Sequence, residues 1–156
     1  MSERWSTAEV VLAGPEFRWS LALQQYEFPG TGTGYDGNWI ESEVELVVET
    51  IGRFSARKRV SIRTTDLERF SAELQALLST GTGEASFDPL EEETGFTIRA
   101  VEDRDHDYEV EIYVLSHSSP ELRARELLTA KRELQALAHT LREGQRAFPV
   151  RGNPRD

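Results

Sequence analysis

A glycine-rich stretch is the first candidate for chemistry in this chain. Residues 30–38 read GTGTGYDGN, and Gly32, Gly34 and Gly37 match the G-x-G-x-x-G pattern of dinucleotide-binding loops. Such a loop needs a helix after it, because the helix N-terminus presents free amides to the pyrophosphate. Here the following residues alternate as a strand, and Arg57 stands about 20 residues on, where an acid would bind the ribose. We therefore interpret the stretch as a loop with a turn.

A second candidate is the run EDRDHDYEV, in which Asp103, Asp105, His106 and Asp107 offer ligands for a metal ion. The run lacks the glycine and the final glutamate of a calcium loop. It also lies where one alternating segment must reverse into the next, and aspartate is common in turns. The sequence therefore predicts a hairpin tip here and no metal.

The histidines do not indicate catalysis either. A histidine base needs a nucleophile and an orienting acid. His117 lies in the segment SHSSP, where serines suit a helix cap, and His139 lies within a predicted helix. The chain has no cysteine and no Gly-x-Ser-x-Gly motif. We predict no catalytic residue and no cofactor.

Apolar and polar residues alternate with period two through the first two thirds of the chain, which is typical of half-buried antiparallel strands. The connection 49–52 is short and contains a glycine, so it predicts a hairpin. Lys58 interrupts one pattern, as at an edge or a bend. The apolar sets are Phe17, Trp19, Leu21 and Leu23; Ile40, Val44, Leu46 and Val48; Phe54, Ala56, Val60 and Ile62; Phe96, Ile98 and Ala100; and Tyr108, Val110, Ile112 and Val114.

Two segments change to the helical period. The first, near residues 65–79, opens with Thr65 and Glu68 at the spacing of a capping box, and Gly81 follows it. The second, near residues 120–143, begins with Ser119 and Pro120 and is predicted to stop at Gly144. The apolar stripes are Leu67, Phe70, Leu74, Leu77 and Leu78 in the first, and Leu127, Leu134, Leu137, Ala138 and Leu141 in the second.

The order strands, helix, strands, helix predicts an α+β fold with two helices on a mainly antiparallel sheet of about five to seven strands. We predict a single domain over residues 1–148 and a flexible tail over 149–156. No apolar run approaches the roughly 18 residues of a membrane span. The charged N-terminus does not resemble a signal peptide. We therefore expect a cytoplasmic protein with no membrane partner.

The net charge of −10 is concentrated in residues 84–111, which contain eleven acids against Arg99 and Arg104. Such a surface repels nucleic acid and favours a basic partner, although a merely solvated surface is the alternative. Glu109 and Glu111 are expected to extend the acids of the 102–107 tip into a stripe. The acids predicted to bind a partner are Asp88, Glu91, Glu92, Glu93, Glu102, Asp103, Asp105 and Asp107.

Trp39 is a further candidate for partner binding. If Ile40 faces the core, Trp39 points outward beside the glycine-rich loop, where an aromatic side chain can anchor an interface. A sheet that is covered on both faces would bury it instead.

Three short blocks of the chain resemble one known family. The first is Asp36-Gly37-Asn38-Trp39-Ile40, leading into Val44-Glu45-Leu46. The second is Asp66-Leu67-Glu68-Arg69-Phe70, continuing to Leu74 and Leu77. The third comprises Phe87, Glu91, Phe96 and Ile98. Over roughly residues 10–115 the chain resembles the WapI-type immunity proteins, small bacterial proteins encoded beside contact-dependent or polymorphic toxins.

The resemblance implies a non-enzymatic protein that binds and blocks a cognate toxin. A concentrated acidic surface agrees with this function, because it would attract a basic toxin domain by electrostatic steering. Two alternatives stay open: an enzyme with paired carboxylates in a deep pocket, and a scaffold domain that binds no small ligand.

Overall fold

The first half of the chain forms one antiparallel sheet followed by a helix. The computed structural model describes residues 8–30, 36–102, 107–116 and 121–152. Four strands pair in sequential order, and a turn of 3-10 helix, Asp36–Asn38, precedes the third. The glycine-rich stretch is thus followed by a strand, as predicted. The elements are β1 (Ala8–Gly14), β2 (Phe17–Tyr26), β3 (Trp39–Glu49), β4 (Arg53–Arg63) and α1 (Thr64–Thr80).

The second half repeats this order of elements. Its four strands form a second antiparallel sheet, again in sequential order, and a second helix follows. The predicted α+β class is confirmed, but the described residues contain eight strands in two sheets, where five to seven in one sheet were predicted. The elements are β5 (Glu84–Phe87), β6 (Thr94–Ala100), β7 (Asp107–Val114), β8 (Leu122–Ala130) and α2 (Lys131–Ala147).

The predicted second helix is wrong in its first half, because residues Leu122–Ala130 form β8. The predicted cap, Ser119 and Pro120, lies outside the described residues. A bulge explains the error: Glu126 has a φ of 57°, and the pairing of β8 with β7 shifts register near it. The bulge breaks the alternation of the strand. It leaves Leu127 seven residues before Leu134, a spacing that imitates a helical stripe.

The first turn of α1 is closed by a different acid from the predicted one. The carboxylate of Asp66, not of Glu68, accepts hydrogen bonds from the backbone amide and the guanidinium of Arg63, at 2.8 and 3.0 Å. Gly81 ends the helix as predicted, with a φ of 70° that favours glycine.

The end of α2 also differs from the prediction, since the helix continues past Gly144 to Ala147. Gly144 is buried where α2 packs on the first sheet, and a Cβ there would come within 2.9 Å of Leu23 Cδ1. The glycine therefore permits close packing of the helix. Neither described helix, at 17 residues each, is long and apolar enough to span a membrane.

One hydrophobic core joins the two sheets and both helices. At its centre Trp19 of β2 contacts Phe87 and Phe96 of the second sheet, and Phe70 of α1 contacts the same two rings, with centroids between 5.0 and 5.8 Å apart. Such edge-to-face aromatic pairs stabilise a core beyond the burial of their area. Trp19 Nε1 also donates a hydrogen bond to Thr94 Oγ1 at 3.0 Å.

The predicted apolar faces of β2, β3 and β7 are buried at every position. The predicted hairpin between β3 and β4 is confirmed, and β4 is an edge strand, in agreement with the interruption at Lys58. Phe54 is an exception on β4, because it lies beside the hairpin turn and stays 48% exposed.

Candidate partner-binding groove

Two surface clefts that share Glu27, Ser61 and Glu93 form one groove, which we call the acidic groove. The clefts have volumes of about 260 and about 430 Å³. The groove is bounded by residues of β2, β3 and β4 and by the connection from β5 to β6. Its other lining residues are Gln24, Phe28, Asp36, Trp39, Glu41, Ser42, Arg59, Val60 and Glu91.

The acidic groove carries strong negative charge. Five of its lining residues are acids and one is an arginine, Arg59. The carboxylates of Glu27, Asp36 and Glu91 form no ion pair with any residue that the structure describes. Glu41 accepts a hydrogen bond from Gln25 Nε2 at 2.7 Å.

Glu93 holds the β5–β6 connection against the first sheet. Its carboxylate forms an ion pair of 3.1 Å with Lys58, whose Nζ also donates to the Leu115 carbonyl oxygen at 2.8 Å. The backbone amide of Leu115 in turn donates to the carbonyl oxygen of Glu93 at 2.8 Å. Both charged side chains are largely buried, so the pair fixes one wall of the groove.

A turn within the same connection directs its acids to two surfaces. The amide of Glu92 donates to the carbonyl oxygen of Pro89 at 3.0 Å, and Glu92 has a φ of 48°. Leu90 is 52% exposed at this turn, and Glu91 lines the groove. Of the four acids predicted in this connection, Glu91 and Glu93 thus reach the groove.

The other two acids of this connection, Asp88 and Glu92, influence Tyr113 of the second sheet instead. Burial raises the pKa of Tyr113 on β7, and the charges of Asp88 and Glu92 raise it further, while Arg123 lowers it. Asp88, Tyr113 and Arg123 line a separate cleft of about 270 Å³. Asp88 therefore lies beside Tyr113 on a surface distinct from the groove, and the charge of Glu92 acts on the same tyrosine.

The expected acidic stripe along β7 is interrupted by arginines. Glu111 lies 3.7 Å from the guanidinium of Arg123 and 3.4 Å from that of Arg125, both on β8. Glu84 pairs with Arg99 at 2.9 Å on the same sheet. We call the surface of the second sheet that carries these ion pairs the arginine-paired face. The sequence prediction did not place these arginines beside β7, because residues 122–130 were predicted to be helical.

The acids near the β6–β7 tip lie apart from the groove. Glu102 and Asp107 line a cleft of about 790 Å³ beside the end of α1, together with Lys131. Glu93 and Glu102 flank opposite ends of the seven-residue strand β6, and the two ends of the strand are roughly 20 Å apart at about 3.4 Å per residue. Asp103 and Asp105 lie outside the described residues.

Trp39 lines the groove but is buried, with 8% of its surface exposed. Of the two alternatives for Trp39, burial is the one observed, since Trp39 and its neighbour Ile40 on the opposite face of β3 are both buried. Its role in partner binding stays a prediction. The guanidinium of Arg63 lies 5.9 Å from the centre of its ring. The exposed aromatic residue of the groove is Phe28, at 44%.

The sequence prediction missed Glu27, Phe28, Asp36 and Glu41. Asp36 and Glu41 lie within three residues of Trp39, which was the one available signal. Glu27 and Phe28 follow a strand without any motif, and they join the site because β2 pairs with β3.

The described residues contain no paired buried carboxylates of the kind that the enzyme alternative requires. Asp66 is the one acid among them that is fully buried, and its carboxylate is bound to Arg63. No group of three potential metal ligands occurs among the residues with described positions. His139 is exposed on α2, and His106 and His117 lie outside the described residues.

Comparison with known proteins defines the class as that of immunity proteins. The chain belongs to the WapI-like immunity protein family, which it matches over residues 11–149. The resemblance seen in the sequence is therefore confirmed, and membership implies a role in toxin immunity. No curated protein matches the chain.

One solved structure, described as the plant transcriptional regulator PBF-2, is similar in overall shape. The TM-score is 0.47 at 10% sequence identity, and the alignment covers 90% of this chain and 81% of that chain. A likeness at this level carries no functional conclusion.

Proposed function

We propose that the protein binds and neutralises a cognate toxin domain, and that a basic surface of the toxin docks on the acidic groove. The action is stoichiometric binding without catalysis, in the cytoplasm of a bacterial cell. Family membership supports the immunity role. The choice of surface depends on the arrangement of charges in the groove.

The observation that carries the proposal is the set of three carboxylates without ion pairs. Glu27, Asp36 and Glu91 come from three separate segments and line one groove around Trp39. Like charges held close together repel each other, so this arrangement opposes folding slightly. A basic partner would remove that repulsion on binding, and the negative field would speed its approach.

Apolar side chains near these acids can supply the rest of the affinity. Phe28 lines the groove, and Leu90 precedes Glu91 in the turn; both are about half exposed. Tight interfaces combine aromatic or aliphatic anchors with a polar rim, and the anchors mainly lower the dissociation rate. The acids of the β6–β7 tip, Glu102, Asp103, Asp105 and Asp107, are proposed to assist the encounter only.

The direct test is neutralisation of the three acids in a triple variant, Glu27→Gln, Asp36→Asn and Glu91→Gln. The partner is the toxin domain encoded beside the gene of this protein. We expect association to slow by on the order of tenfold at low salt, and the salt dependence of the rate to weaken. Stopped-flow mixing measures both quantities.

A matched control changes the net charge equally at three paired acids, in the variant Glu49→Gln, Glu84→Gln and Glu111→Gln. These carboxylates pair with Arg53, Arg99 and Arg125 at 3.2, 2.9 and 3.4 Å. Association of the control should stay within about twofold of the wild type, since its acids are already screened by arginines. Equal slowing in both variants would show that only net charge matters and would reject the groove.

A further inference from the structure

The C-terminal segment contacts two backbone carbonyls beside the acidic groove through Arg151. Arg151 Nε donates to the carbonyl oxygen of Gly37 at 2.9 Å, and its Nη2 donates to the carbonyl oxygen of Phe28 at 3.1 Å. One guanidinium therefore joins the residue after Glu27 to the residue after Asp36. A planar guanidinium is suited to this, because it presents several N–H groups in a fixed fork.

Asn38 fixes the backbone of the same arginine. Its Nδ2 donates to the Arg151 carbonyl oxygen at 2.8 Å, and its Oδ1 accepts the Arg151 amide at 2.8 Å. Oδ1 also accepts the hydroxyl of Thr64, at the start of α1, at 2.7 Å. Asn38 is 1% exposed, so these bonds are protected from water.

Tyr26 completes the attachment. Its hydroxyl donates to the carbonyl oxygen of Pro149 at 2.6 Å, and its ring lies 3.8 Å below the Arg151 guanidinium. The ring also packs edge-on against Phe148, the residue after α2. Residues 148–151 are thus bound at the side chains of Tyr26 and Asn38 and at two backbone carbonyls. We call this segment the C-terminal latch.

We propose that the C-terminal latch pre-organises the acidic groove for its protein partner and that Arg151 is the positioning residue. The inference rests on the proposed function for the identity of the partner. No residue of the latch lines the groove, yet the latch holds Phe28 and Gly37, which flank two of the groove acids, at a fixed separation. A binding surface that is already ordered loses less conformational freedom on association, so it dissociates more slowly.

The first test needs no partner and uses the full chain. Hydrogen exchange followed by mass spectrometry should show faster exchange over residues 24–30 and 36–40 in Arg151→Ala, by on the order of tenfold, because local opening becomes easier. The same residues should exchange almost as fast in Arg151→Lys as in Arg151→Ala, since a lysine ammonium cannot bridge both carbonyls as the forked guanidinium does. The control Arg146→Ala removes an exposed arginine that pairs with Glu143 on α2, and it should leave this region unchanged.

The second test measures binding to the toxin domain encoded beside the gene. Arg151→Ala and Arg146→Ala change the net charge equally, so both should associate slightly faster with a basic partner. Only Arg151→Ala should also dissociate faster, by on the order of tenfold. If Arg151→Ala fails to fold, Arg151→Lys and Tyr26→Phe, which removes only the bond to Pro149, carry the same comparison.

The two proposals fail in different ways. Unchanged exchange over residues 24–30 and 36–40 in the Arg151 variants would overturn the latch, whatever the toxin does. Faster exchange with unchanged dissociation would overturn its positioning role. A wild-type protein that does not bind the toxin domain would overturn the proposed function, and the exchange result would then decide the latch alone.

Discussion

The acidic groove and the arginine-paired face both contain acids, but they differ in whether arginines form ion pairs with those acids. In the groove, Glu27, Asp36 and Glu91 form no ion pair with a described residue, whereas Glu84 and Glu111 on the other surface lie beside arginines. The segment richest in acids, residues 84–111, supplies both kinds. The comparison shows that the number of acids in a segment does not define an acidic surface. Whether the neighbouring strand carries arginines decides how much of the negative charge of these acids stays unpaired.

The two regions also share one feature, an arginine over an aromatic ring. Arg63 lies 5.9 Å from the ring centre of Trp39, and Arg123 lies 5.1 Å from that of Tyr113. Such contacts stabilise modestly at exposed sites and more strongly when water is excluded. Trp39 is buried and Tyr113 is half-buried, so the same contact should matter more in the groove.

The largest expected effect is the loss of stability on replacing Trp39, the buried aromatic residue that lines the groove. Trp39→Ala should lower the free energy of unfolding by about 3–5 kcal/mol, because it removes a large buried side chain and leaves a cavity. Tyr113→Ala, the matched change on the arginine-paired face, should cost less, since the side chain is only half-buried. Urea denaturation measures both, and an equal or larger loss for Tyr113→Ala would contradict the assigned burial.

A smaller effect is expected on binding from the exposed apolar residue of the groove. Phe28→Ala should speed dissociation of the toxin complex by on the order of tenfold, as for a residue near the centre of an interface. Leu128→Ala on β8 is a suitable control, because Leu128 is 42% exposed and Phe28 is 44% exposed. Surface plasmon resonance distinguishes them. Faster dissociation of the Leu128 variant alone would indicate that the interface lies on the second sheet and not at the groove.

The smallest effect is expected at the β6–β7 tip. The quadruple variant Glu102→Ser, Asp103→Ser, Asp105→Ser and Asp107→Ser should slow association by roughly twofold to threefold at low salt, because rim charges act mainly on the encounter rate. The effect should be smaller than that of the groove triple variant although four charges are removed. Slower association for the tip variant than for the groove variant would reverse the ranking of the two surfaces.

The fold was predictable where alternation is uninterrupted. In β2, β3 and β7 each predicted apolar position is buried, because one face of each strand packs on the core. The prediction failed at β8, where the bulge at Glu126 removes the period and the leucines imitate a helix. Because β1 and β5 were also absent from the predicted strands, the repeated order of four strands and a helix was not seen in the sequence.

The candidate site was predictable only in part, because residues that are far apart in the sequence come together to form it. Glu91 and Glu93 were found because they lie in an acid-rich run, and Trp39 because it lies beside the glycine-rich stretch. Glu27 and Phe28 belong to no motif, and Arg151 lies in the segment predicted as a flexible tail, where no periodicity marks it. Its contacts with Phe28 and Gly37 span more than a hundred residues of sequence, which no local pattern reveals.

The most direct test of the acidic groove as the toxin-binding surface is hydrogen exchange of the full-length protein, free and saturated with the toxin domain encoded beside its gene. We expect slower exchange in the complex over residues 24–30, 36–42, 58–61 and 90–93, with little change over 107–114 and 122–130. Protection confined to β7 and β8, with the groove segments unchanged, would contradict it.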